Sequence, residues 1–325
     1  ATVSATGKTR AQAESLGVNV SFGAAAGGSV AKADAVSRVN AYLGNNTQLT
    51  GRNLTVSATQ ALAGSGANVS ADATGAAGAL FAGLSATVAH ADHDSRVSST
   101  VGDDSRLTLS GTALVKASND TRQQADGSGF AAGIVAAGFN DARATSNTVT
   151  EAALGDNVYI AAPAAVPATL MTAVSVIADG TDRNRANATS GSGGLISGSA
   201  ATATTSSTSR TTATTGSGDD ARRIAAKTFT LKATHLTDYN AVVNSVNASV
   251  VGASGARAVN AVDSTVRAEI GAGGRVSAND IVVLAGNSST KHWIGASDAD
   301  AAAFNVDSGS GGVIDLPAAS SKTAI

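Results

Sequence analysis

A motif of the form LxVxA occurs six times in the chain, and it limits the possible folds more than any other feature. It reads ATVSAT (Ala1 to Thr6), LTVSAT (Leu54 to Thr59), LVKAS (Leu114 to Ser118), VSVIAD (Val174 to Asp179), FTLKAT (Phe229 to Thr234) and IVVLAG (Ile281 to Gly286). The shared alanines, Ala5, Ala58, Ala117, Ala178, Ala233 and Ala285, are separated by 53, 59, 61, 55 and 52 residues. Those five steps span 280 residues, a mean of 56. A fixed period of this size is the signature of an array, in which each unit buries its apolar face only against its neighbours.

Two further landmarks keep the same order. VNAYLG (Val39 to Gly44) returns as VSSTVG (Val97 to Gly102), VTEAALG (Val149 to Gly155) and VRAEIG (Val266 to Gly271), with TTATTG (Thr211 to Gly216) as a degenerate copy. A segment of small residues precedes it, as in FGAAAGGSVA (Phe22 to Ala31), GSGFAAGIVAAG (Gly127 to Gly138) and SGSGGLISGSAA (Ser190 to Ala201), with SGSGGVIDLPAA (Ser308 to Ala319) as the last copy. The long step into Ala178 holds APAAVPATL (Ala162 to Leu170), an expected loop insertion. The chain begins inside one landmark and stops inside another, so residues 1–325 read as one continuous array, a window on a longer one.

Within each landmark the apolar residues alternate. Leu54, Val56 and Ala58 lie on one face, with Thr55, Ser57 and Thr59 on the other. Period two is the mark of a strand, whereas a helix would repeat every 3.6 residues. An α-helical solenoid is the rival, because Ala is the best helix former, but the interspersed Gly, Val, Thr, Ser and Asn oppose it. The fold expected is all-β, a parallel β-solenoid built from degenerate repeats of about 56 residues, each making two or three coils. Composition agrees. Apolar residues make up 43% but aromatics only 3%, and a core of Ala and Val can fill a narrow interior but not a wide one. The small-residue segments are expected where walls approach so closely that only Gly and Ala fit. Abundant Val and Thr, few prolines and low charge argue against disorder.

A net charge of −2 offers no footprint for nucleic acid. No apolar run reaches the ~20 residues of a membrane-spanning helix, and the absence of Cys excludes a disulfide scaffold. No phosphate loop, nucleophile elbow or paired-carboxylate site is found, so no enzyme and no cofactor is expected. A β-helical polysaccharide lyase or hydrolase would need acids and bases clustered in register, and here the charges are dilute.

Five places carry residues with ligand-binding chemistry. Asp103 and Asp104 follow Gly102, and Asp219 and Asp220 follow Gly218, as turn carboxylates suited to calcium between coils or, more plainly, as Gly-Asp turns. HADHD (His90 to Asp94) puts His90, Asp92 and Asp94 on one face and His93 on the other, a zinc candidate or a solvated strand face. Trp293 in STKHWIG suits stacking on a sugar or packing a local core. The hydroxyl-rich run from Thr202 to Thr215 offers a flat face for glycan or ice, or a plain polar wall.

The stretches AKADAVSRVNAYLG (Ala31 to Gly44) and AHADHDSRVSSTVG (Ala89 to Gly102) resemble in texture and repeat order the giant filamentous adhesins of bacteria, of the filamentous-haemagglutinin and leukotoxin-type kinds. The resemblance implies an extracellular β-helical shaft at the cell surface, chemically passive, supporting attachment or biofilm cohesion. The partners expected are further copies joined head to tail, and surface glycans or host and neighbouring cells. The alternative is a solenoid binding module that recognises glycan or ice through its Thr-rich face or the Trp293 loop.

Overall fold

The structure, a computed structural model, describes residues 1–64, 66–163, 171–218, 223–291 and 306–325. Among these residues there is no helix, which removes the helical rival, and all sixteen strands join one parallel sheet system. The chain winds as six coils. The first contains β1 (Thr2–Lys8), β2 (Ala11–Ser21), β3 (Ala24–Leu43) and β4 (Gln48–Gly51). The second contains β5 (Leu54–Ala61), β6 (Val69–Ala79), β7 (Ala82–Val101) and β8 (Arg106–Leu109). The third has β9 (Thr112–Ala132), β10 (Val135–Leu154) and β11 (Tyr159–Ala161). In the fourth and fifth coils both long walls merge into single ladders, β12 (Met171–Thr215) and β13 (Arg223–Ile270). The sixth has β14 (Arg275–Lys291), β15 (Val306–Gly311) and β16 (Ile314–Ala324).

One repeat is therefore one coil, not two or three. Ala5 pairs with Ala58, Ala58 with Ala117, Ala117 with Ala178, Ala178 with Ala233 and Ala233 with Ala285. The second landmark stacks as faithfully: Leu43, Val101, Leu154, Thr215 and Ile270 form one column, which places the degenerate TTATTG in line with its relatives. At ~3.3 Å per residue, 56 residues trace a perimeter of about 185 Å. So long a coil is possible because each is flattened: an outbound wall, a tip, a return wall of about twenty residues, a corner and a short third wall.

The cross-section tapers, and the side chains follow it. At the base, where the third wall holds the long walls apart, Leu54, Val56, Leu107, Ile160, Met171, Val176, Phe229 and Leu231 pack a conventional core. Farther along, the inward apolar residues are almost all alanine, as at Ala33, Ala73, Ala91, Ala144, Ala186 and Ala203, with Val69 and Val243 the exceptions. Toward the tip Ser85, Thr87, Asn140, Ser199 and Ser245 are buried as well. Near the tip the walls touch backbone to backbone. A Cβ on Gly27 would lie 2.4 Å from the Ala76 carbonyl oxygen across the interior, so the expectation for the small-residue segments holds. The structure adds a copy that the sequence landmarks passed over, around Val250 and Val251, with Val251 stacked between Ile196 and Ile314.

The corners after the second landmark explain its glycine. At Gly102, Gly155, Gly216 and Gly271 a Cβ would come within 2.3 to 2.5 Å of the preceding coil's corner. Two residues on, Asn46, Asp104 and Asn157 adopt φ of 57°, 56° and 54°, and Gly273 adopts 70°. Among residues with a side chain, Asn and Asp tolerate this left-handed region best.

Candidate functional site

The turn acids at the corner are committed to the fold. The Asn45 Oδ1 accepts the Asp103 N–H at 3.0 Å, the Asp103 Oδ1 accepts the Asp156 N–H at 2.8 Å, and the Asp156 Oδ1 accepts the Ser217 N–H at 2.7 Å. The Asp104 Oδ1 accepts Asn157 Nδ2 at 3.3 Å. Asp103 and Asp156 thus complete the backbone hydrogen bonding of the coil that follows, and Asp104 holds the Asn157 side-chain amide of that coil. Asp219 and Asp220 lie outside the described residues, as does Trp293.

His90 and Asp92 point outward and His93 inward, as alternation requires. His90 Nε2 lies 2.9 Å from the Asp141 carboxylate on the next coil. Asp92 does not join it: among the described residues no group of three or more His, Asp or Glu is arranged to hold a metal ion. The hydroxyl run divides between the two sides of its wall. Thr205, Ser207, Ser209, Thr211 and Thr215 face the interior, leaving Thr202, Thr204, Ser206, Thr208 and Thr214 in one outer row. Thr204 stacks between Arg143 and Val259, and Thr208 between Asn147 and Asp263. The outer hydroxyls thus form a line along one coil rather than columns across several.

The outer walls carry cross-coil charge ladders. Asp179 lies 3.5 Å from Lys116 on the coil before and 3.6 Å from Lys232 on the coil after. Arg183 bridges Asp120 and Asp238 at 2.5 and 3.5 Å in the same manner. Exposed pairs of this kind are worth only ~0–1 kcal/mol each, but they favour the observed register. A contrary column, Glu14, Asp72 and Asp126, stacks three carboxylates. Partial burial, and then the charges of Asp126 and Glu14, push the Asp72 pKa up.

The most concentrated chemistry is internal, in a polar belt between the leucine-rich base and the alanine waist. The Asp182 and His235 side chains are wholly enclosed, with 0% exposure each. The Asp182 Oδ1 accepts from His235 Nε2 at 2.6 Å and from Thr237 at 3.0 Å. Its Oδ2 accepts from Ser146 at 2.6 Å, from Asn184 at 3.3 Å and from Ser207. The Thr211 hydroxyl meets His235 Nδ1 at 3.1 Å. The knot draws on three consecutive coils and both walls. Burial alone would raise the Asp182 pKa, but the hydrogen bond and charge of His235, with the Ser146 and Ser207 hydroxyls, outweigh it and hold the carboxyl below its ordinary value.

A second relay runs through His93. Gln123 Nε2 donates to His93 Nδ1 at 3.1 Å, and His93 Nε2 meets the Ser37 hydroxyl at 3.2 Å. Ser37 then donates to Ser95 at 3.0 Å, and Ser95 to Asn119 Oδ1 at 2.8 Å. With one ring nitrogen already accepting an N–H, the imidazole is neutral. Burial pushes its pKa down to about 4, against the opposing pull of Asp94.

Both clusters combine hydroxyl, imidazole and carboxyl or amide groups, yet no substrate can reach the sealed Asp182–His235 pair. Their effect is to tie the walls together. Sequence reasoning missed the belt, although the parity was available: Asp182 and His235 lie four and two residues beyond Ala178 and Ala233, on the same inward face. In comparisons with known proteins, no family model, curated protein or solved structure matches the chain.

Proposed function

We propose that the chain is a structural segment of an extracellular bacterial surface fibre, an adhesin-like shaft that carries load and spacing, with attachment or biofilm cohesion as its role. The observation that supports this most is the unbroken stacking of corresponding residues from coil to coil. The axis is parallel to the hydrogen bonds, so a pull along it loads whole ladders at once, while the corner ladder and the sealed polar belt resist sliding of one coil over another. Stacked coils are also adhesive at their strand edges, which gives a route for copies to join head to tail.

Electron microscopy of the isolated protein tests the reading. The expected result is filaments with a layer line near the ~4.8 Å strand spacing. Short separate rods at every concentration would count against head-to-tail growth. A glycan array in which the intact chain binds a sugar, and the Trp293→Ala variant does not, would replace the shaft with the binding-module reading.

A further inference from the structure

In coils two to five, charge is confined to one part of the cross-section, away from the tip; the sixth coil places Asp307 and Asp315 in line with it. No Asp, Glu, Lys or Arg occurs from Ala73 to Ala89, Gly127 to Asn140, Ala186 to Ser209, or Tyr239 to Ala256, the stretches that pass round the tip in coils two to five. Large apolar side chains stand exposed there instead. At the apex of successive coils lie Phe81, Ile134, Leu195 and Val250, at 57%, 42%, 53% and 44% exposure, flanked by Phe130 and Phe139 at 56% and 47%. Backbone hydrogen bonds from Ile134 N to Leu80 O and from Leu195 N to Ile134 O, at 3.2 and 3.0 Å, hold the apex in line with the axis. The result is a straight apolar ridge.

Its size separates it from ordinary surface. Aromatic side chains offer roughly 150–250 Å² each. At about half exposure, the dozen large residues of the four inner coils present on the order of 1,000 Å², beyond the ~300–600 Å² of the largest patch on a typical monomer. Spread over the apex and its two flanks, that area is of the same order as the roughly 800 Å² per partner of a standard stable interface.

Its relief identifies the occupant. The column through Phe130 runs Val18, Ala76, Phe130, Gly191, Val246, Gly309, alternating large and small from coil to coil. The Phe130 ring lies over Gly191, where a Cβ would meet it at 2.4 Å. Beside these residues an apolar groove of about 470 Å³ is left open between Val20, Ala77, Phe130 and Val246. Down this column large and small residues thus alternate from one coil to the next, a relief that a surface of the same two-coil period matches along its length.

We propose that the ridge is a lateral interface with a second copy of this chain: two solenoids lie side by side, ridge against ridge, about a twofold axis, with the large residues of each seated in the gaps of the other. The pairing is isologous, so each residue contacts its counterpart's neighbours in both directions. It is independent of head-to-tail growth and would thicken a fibre rather than lengthen it.

Sedimentation velocity of the 325-residue chain across a thousandfold concentration range tests this. The expected result is a concentration-dependent species of twice the 31.4 kDa chain mass. Leu195→Asp should weaken it at least tenfold while circular dichroism and melting stay unchanged, because Leu195 is half exposed. Cross-linking gives a second readout, since the chain has no cysteine. Phe81→Cys should form linked pairs with a flexible bis-maleimide that reaches across neighbouring coils, and Ser118→Cys on the outer wall should not. A single 31.4 kDa species at all concentrations overturns the proposal. So does a dimer that survives Leu195→Asp, which would be an end-to-end pair, or equal cross-linking from both cysteines. Flotation of the monomer with phosphatidylcholine vesicles, without dimer formation, would assign the ridge to lipid and also overturn it.

Discussion

The base and the waist of the coil obey the same periodicity and the same stacking, yet they solve the packing problem in opposite ways. At the base three walls enclose a wide interior, and Leu, Ile, Met and Phe are needed to fill it. In the waist two walls face each other directly, and alanine is the largest residue that fits at nearly every position. The difference shows that hydrophobic content says little by itself. What decides a residue's worth is the local distance between walls. The polar belt lies at the boundary, where the gap admits polar side chains longer than alanine and buries them.

That contrast can be broken at its boundary first. Asp182→Ala should cost about 3–5 kcal/mol, because the carboxylate's loss leaves His235 and several hydroxyls buried without their acceptor. The paired change Asp182→Leu with His235→Leu should recover a large part of the loss, seen as a coupling energy in a denaturation cycle. If the two single losses simply add, the knot is not a unit. At the base, Phe229→Ala should cost a similar ~3–5 kcal/mol through the cavity it leaves.

The waist should respond in the reverse sense. Ala186→Leu should destabilise by about 1–3 kcal/mol through overpacking, while Ala186→Gly should cost only ~0.5–1 kcal/mol. A base that tolerated Phe229→Ala better than the waist tolerated Ala186→Leu would undo the comparison.

Acid should sharpen it. His93 titrates near 4 when folded and near ~6.5 when unfolded, so its neutral form is favoured by the fold. Stability is complete above about pH 6.5 and falls as pH drops toward 4, by at most about 3 kcal/mol. The Asp182 contribution is lost at still lower pH, as the depressed carboxyl is finally protonated. His93→Gln should flatten the first limb of a stability-against-pH curve and leave the second. The smallest effect belongs to the outer wall. Asp72→Asn relieves an in-register column of like charge and should stabilise by roughly 0.2–1 kcal/mol at neutral pH.

The strand periodicity, the parallel stacking and the alignment of all six LxVxA motifs were legible because identical positions in successive coils face identical surroundings. The number of coils per repeat was not. Alternation shows that a stretch is extended but not where it turns back, and nothing between Ala24 and Leu43 marks a corner. The inner belt escaped because polar residues in a strand are ordinarily assigned to solvent. Here Gln123, Asn184 and His235 share parity with alanines and face inward. Asp103 and Asp104 were noticed for their position after glycine, but their partners are the Asp156 backbone N–H and the Asn157 side-chain amide on the following coil, which sequence spacing alone does not bring together.

The corner ladder has a direction. Asn45 serves Asp103, Asp103 serves Asp156, and Asp156 serves Ser217, so each coil supplies the side-chain acceptor that a backbone N–H of its successor needs. The backbone bonds at the same corner run the other way, from Asn46, Asp104 and Asn157 to carbonyls of the following coil. In its side chains, a coil already in place presents an acceptor to the next coil rather than to the one before it. Assembly from the amino-terminal side can therefore keep step with a chain that emerges that end first, each finished turn presenting a docking point to the residues still arriving. Replacing Asp103 with alanine should delay hydrogen-exchange protection in the coils after it and spare the coil before it; equal delay on both sides would show that the ladder has no such polarity.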